Sequence, residues 1–134
     1  MGHAFKISEA ASLAIHAVSI IAKQETSAPI KLSSLARTLD ASVTHLGKVM
    51  HRLVASHVVT SRRGPLGGFT LGKRAGTMTL LDVQEIFDGP LSCDTCLLGK
   101  RACPFGECVL GNTPSSVDNT VRRELGTRRI IDIR

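Results

Sequence analysis

The stretch Ser61-Arg-Arg-Gly-Pro-Leu-Gly-Gly68 restricts the fold more than any other part of this chain. Three glycines and a proline within eight residues cannot continue a helix and favour a tight reversal. A β-prone run, Val58-Val-Thr60, precedes it, and another, Phe69-Thr-Leu71, follows. The segment therefore reads as a short hairpin with Arg62 and Arg63 at its tip. Such a hairpin is marginal alone and has to lean on neighbouring helices.

Those neighbours are legible upstream. Leu46, Val49, Met50 and Leu53 recur at i, i+3, i+4 and i+7, the spacing of one buried helix face, and Ser42 is placed to cap the helix start. Leu32, Leu35, Ala36 and Leu39 give a shorter helix before it, with Asp40-Ala41 as the turn. Two short helices across so brief a turn make a helix–turn–helix, and the hairpin after them makes a wing. A further helix is expected from Ser8 to about Ala22, with Ile15 and Ile20 widening its apolar stripe. Another starts at Thr79, where Asp82 is placed for a capping box, and stops at Gly89-Pro90. A last helix, capped near Asn112 or Thr113 with Pro114 in its first turn, carries a sparse stripe of Val117, Val121 and Leu125. So thin a stripe needs a partner: the same helix of a second subunit, or the chain's own domain. The tail Thr127–Arg134 has no pattern that places it. The fold class is mainly α with a small β-hairpin. A winged helix–turn–helix domain spans residues 1–91, a cysteine-rich segment 92–111, and a dimerisation helix with its tail 112–134.

Charge separates these regions. Residues 31–74 hold eight Lys or Arg against one Asp, a sum of +7, whereas residues 75–116 sum to −3. A basic block confined to one structural segment is a footprint for a polyanion. There is no Trp or Tyr, which argues against single-strand binding by base stacking. Opposite the apolar stripe of the third helix lie Thr44, His45, Lys48 and Arg52. Thr44 and His45, near the helix start beside Ser42, are placed for base edges in a major groove; Lys48 and Arg52 can reach bases or phosphate. Arg62 and Arg63, on a slim tip, suit a minor groove. Lys31, Arg37, Lys73 and Arg74 would add attraction that does not read sequence. No run of 18 apolar residues and no signal-peptide order is present, so the expectation is a cytoplasmic protein without membrane contact. No Ser/His/Asp cluster or Walker-type loop suggests an enzyme.

Cys93, Cys96, Cys103 and Cys108 follow a C-x2-C-x6-C-x4-C pattern. Four thiols so close can converge on an iron–sulfur core or on zinc, or remain oxidisable.

The stretch from Ser42 to Leu53, followed by Val59 to Lys73, resembles the Rrf2 family of bacterial transcription regulators. The hallmark is an Arg-Gly-x-x-Gly-Gly-Phe/Tyr wing, matched from Arg63 to Phe69. The segment Leu80–Leu91 and the cysteines after it extend the similarity over nearly the whole chain. The resemblance implies a homodimer on double-stranded DNA with a palindromic operator, most often a repressor, with Arg63 in the minor groove. The family includes iron–sulfur and nitric-oxide sensors and also cysteine-metabolism regulators without a cluster. By resemblance, Cys96, Cys103 and Cys108 match the ligands of a 2Fe-2S or 4Fe-4S cluster. Where one branch places a fourth ligand, His, this chain has Gly111; Cys93, or Glu9 or His3 of a partner subunit, are substitutes. His45 stands where Tyr is common, and Gly47 where some members use an acidic residue for operator choice. A metal-free thiol sensor and a small iron–sulfur electron carrier are the competing functions.

Overall fold

The computed structural model describes residues 7–91, 96 and 103–133. Helix α1, Glu9–Ala22, begins at Ser8, whose hydroxyl accepts from the Ala11 amide at 3.1 Å. Its stripe of Ala11, Ala14, Ala17, Val18 and Ile21 is buried, and Ile15 and Ile20 flank the core half-buried. Helices α2, Leu32–Thr38, and α3, Val43–Ala55, form the helix–turn–helix.

Both end with the same chain reversal. After α2, Asp40 takes a φ of 49°, and the Ala41 amide returns to the Ala36 carbonyl at 2.9 Å. After α3, His57 takes a φ of 60°, and the Val58 amide returns to the Leu53 carbonyl at 3.0 Å. These are Schellman closures in which a non-glycine residue occupies the left-handed position. They set the angle between α2 and α3 and launch the first strand directly from the end of α3.

Strand β1, Val59–Arg62, pairs antiparallel with β2, Gly68–Leu71, with Val59 opposite Leu71 and Arg62 opposite Gly68. The hairpin does lean on the body of the domain, and by backbone as well as side chains. Ile30 and Phe69 exchange amide–carbonyl bonds at 3.0 and 2.8 Å, so the residue before the α2 N-cap adds a one-pair third strand. This close approach explains Gly68: its φ is +147°, and a Cβ there would sit 2.4 Å from the Ile30 carbonyl oxygen. At Gly67 a Cβ would collide with the Arg62 carbonyl oxygen. Two of the three wing glycines are thus demanded by backbone packing.

A 3-10 turn, Lys73–Gly76, leads to α4, Leu80–Asp88, which opens on a complete Thr79/Asp82 capping box and stops at Gly89, φ 75°. Helix α5, Thr113–Gly126, has Asn112 at its N-cap position and Pro in its first turn. The tail, patternless in sequence, is placed by structure. Ile130 is fully buried in the core, its amide bonded to the Met78 carbonyl, while the Leu80 amide bonds to Arg128. The core lies where α1, α3, α4, β1 and this tail meet. Among the described residues no helix is long and apolar enough to cross a membrane.

Candidate nucleic-acid interface

The buried stripe of α3 decides what its other face can do. Leu46, Val49, Met50 and Leu53 are all in the core. Thr44, Lys48 and His51 therefore project outward in one row, spaced by four and three residues, and all three are exposed. Ser42 is committed to the backbone: its hydroxyl accepts the His45 amide at 3.3 Å and satisfies the helix start. The exposed helix N-terminus carries the positive end of the helix dipole and suits a phosphate. Val43, at the first helical position, is half exposed, an apolar surface of the kind that meets a thymine methyl. His51 and Val43 were missed by sequence reasoning. The signal for His51 was its place seven residues after Thr44.

His45 is held sideways. Its Nδ1 lies 3.7 Å from the Glu9 carboxylate at the start of α1, and the ring is half-buried. Arg52 is drawn away from the row altogether. Its Nη2 donates to the Ile86 carbonyl at 2.6 Å, and its guanidinium lies 4.9 Å from the centre of the Phe87 ring. Gly47 packs toward α2, where a Cβ would meet the Leu32 side chain at an ordinary 3.5 Å.

At the wing, Arg62 and Arg63 are both exposed, and the tip is closed by a Gly67 amide to Gly64 carbonyl bond at 2.9 Å. Lys31 is exposed at the start of α2, beside the Ile30 bridge to the wing. The fold thus brings Thr44, Lys48 and His51 together on one helix, and Arg62 with Arg63 on one tip. Lys73 and Arg74 lie behind the hairpin, lining a recess of about 440 Å³ with His57 and Thr60.

Cys96 and Cys103 are half-buried and Cys108 is exposed; the Cys103 thiol lies 3.8 Å from the Glu107 carbonyl. Cys93 and His3 fall outside the described residues. Among the described residues no three His, Cys, Asp or Glu side chains converge as metal ligands.

The architecture is that of a winged helix–turn–helix protein. Comparison with known proteins makes this particular: the model of the Rrf2 family, described as an iron-dependent transcriptional regulator, matches residues 7–133, and the chain belongs to that family. An HTH-type transcriptional regulator of Aquifex aeolicus is 35% identical over 74 residues, 55% of this chain and 51% of its own length. The regulator IscR of Cronobacter sakazakii is 31% identical over 97 residues, 72% of this chain and 59% of its own length. The chain thus spans little more than half of these relatives. Among solved structures, CymR, the global cysteine regulator of B. subtilis, superposes with a TM-score of 0.76 over 96% of this chain and 95% of its own, at 24% identity. T. potens IscR superposes with a TM-score of 0.68 over 96% of this chain and 85% of its own, at 19% identity. Likeness at such identity shows the shared fold.

Proposed function

We propose that this protein is a dimeric, sequence-specific DNA-binding transcription regulator, a repressor acting in the cytoplasm, whose affinity for its operator is set by its cysteine segment. One observation carries the DNA-binding part: Thr44, Lys48 and His51 form an exposed row on a helix whose opposite face is fully buried, beside an exposed Arg62–Arg63 tip. The row offers hydroxyl, ammonium and imidazole groups to major-groove edges, and the tip offers Arg63 to the adjacent minor groove. Ser42, by fixing the helix start, and Lys31, by attracting phosphate, support the same contact.

Support for a second subunit comes from α5. Val117 is exposed, and it lines with Val121, Thr120 and Ser116 a groove of about 480 Å³ on that helix. The C-terminal end of α5 leans back on its own domain, where Leu125 packs on the core. Pairing of the other half with a second copy would hold two recognition helices at about 34 Å, one helical turn of DNA, and so read a palindrome.

For control, the family description names iron, and four thiolates are the donors that soft iron centres take. An iron–sulfur cluster held by Cys93, Cys96, Cys103 and Cys108 would supply redox sensitivity when bound. A metal-free thiol switch is the second reading, supported by the exposure of the Cys108 thiol, which leaves it open to oxidation. Selection from a random duplex library, run on anaerobically purified protein with iron, zinc and sulfide analysed in the same sample, tests both parts. Enrichment of a palindrome with stoichiometric iron and sulfide is expected. No enrichment would overturn DNA reading, and a metal-free protein that responds to thiol oxidation would replace the cluster by the switch.

A further inference from the structure

Arg52 lies on the exposed side of α3, eight residues after Thr44, or about 12 Å along the helix axis. In a recognition helix the N-terminal residues meet the bases, so Arg52 stands more than two turns from that end. Its guanidinium is engaged elsewhere, through the Ile86 carbonyl and the Phe87 ring. Both partners belong to the last turn of α4, whose carbonyls lack donors within the helix and carry the negative end of its dipole. A cation there caps α4 from another helix and stacks on an aromatic face at the same time. The main packing partners of α3 are α1, α2 and β1, and Arg52 adds a polar link from α3 to the end of α4. The next residue, Asp88, accepts the Ser8 amide at 2.9 Å, and Glu9 beside it faces His45. The last three residues of α4 therefore touch α3 at Arg52 directly and near its start through α1.

We propose that Arg52 is a positioning residue for DNA reading: by locking the recognition helix to the C-terminal turn of α4, it sets the angle at which Thr44 and Lys48 are presented, without itself contacting DNA. This rests on the DNA-binding reading above. A phosphate contact by the same guanidinium would require it to abandon Ile86 and Phe87. The conservative change Arg52→Lys keeps the charge but loses the planar fork and the stacking geometry.

The test is duplex affinity over a salt series for wild type, Arg52→Met, Arg52→Lys and Phe87→Leu, on an enriched and a scrambled duplex, at temperatures where each variant is folded. Loss of the capping bond and the stack should weaken enriched-duplex binding by about tenfold in Arg52→Met. Phe87→Leu should weaken it in the same direction, Arg52→Lys should rescue it only in part, and the salt slope should not change. The Arg52→Met/Phe87→Leu double variant should be no worse than Arg52→Met, because both changes break one contact. A DNA-contacting Arg52 would instead lower both duplexes alike and reduce the salt slope by about one, with Phe87→Leu like wild type. Either that pattern, or wild-type affinity in Arg52→Met with only a lower Tm, overturns the inference. A wild type that does not distinguish the two duplexes overturns both this inference and the functional reading, whereas a selective wild type with an unaffected Phe87→Leu overturns the inference alone.

Discussion

Residues 30–74 and residues 103–121 are built on opposite terms. In the first, Ser42 caps the start of α3, α2 and α3 both end in a chain reversal, and the wing is bonded to Ile30. The apolar face of α3 is out of water. In the second, Phe105, Val109, Leu110 and Val117 are exposed, and the buried residue of α5 is Asp118, not an apolar one. A surface that must present side chains at fixed positions needs the first kind of construction. The second leaves apolar area uncovered, the condition in which association or ligand binding has something to gain. The difference teaches that the chain finishes its helix–turn–helix and wing by itself and leaves the apolar face of residues 103–121 uncovered.

Gly68→Ala should produce the largest effect. Its Cβ would meet the Ile30 backbone, and its φ disfavours any side chain. We expect a loss of about 2–3 kcal/mol of stability by urea denaturation, with DNA affinity falling as the wing detaches. A variant as stable as wild type would show that the first region is looser than drawn.

Val117→Glu attacks the other side of the comparison. A charge in the exposed α5 stripe should shift the protein toward monomer in sedimentation equilibrium. The isolated domain should change by no more than about 0.5 kcal/mol. Loss of the fold itself would mean that this face belongs to the domain's own core.

Much of the first region was legible in the sequence because its constraints are local. The stripe from Leu46 to Leu53 and the Ser42 cap each depend on residues within one or two turns, as does the Thr79/Asp82 box that follows the region. What escaped was non-local. The Ile30–Phe69 bridge joins residues 39 positions apart, and Ile130 enters the core without periodicity to announce it. Arg52 shows a third limit. Spacing placed its Cα on the outer face of α3, but a long side chain with an apolar stem can lay its charge on a neighbouring helix. Gln84 is the reverse case, a polar residue fully buried on α4, where its amide donates to Asp88 at 3.3 Å and its Oε1 has no partner among the described residues. For the cysteines, spacing could count donors but not gather them.

Two smaller changes sharpen the contrast. Gly47→Ala replaces a mid-helix glycine where a Cβ makes only ordinary contact with Leu32. It should raise stability by about 0.5–1 kcal/mol in the same denaturation assay. A loss would show that α2 and α3 are closer than the 3.5 Å contact implies. Cys108→Ser, at an exposed thiol, should leave Tm unmoved, within about 0.5 kcal/mol, while altering any dependence of DNA affinity on oxidation or iron. A large fall in stability would make the cysteine a structural residue.

The most direct measurement is competition binding of wild type and Arg63→Ala on a library-enriched duplex and a composition-matched scrambled one, across a salt series. The account predicts that wild type prefers the enriched duplex at every salt concentration and that Arg63→Ala loses about 1–3 kcal/mol of that preference. Equal affinity of wild type for the two duplexes, falling together with salt, would contradict it.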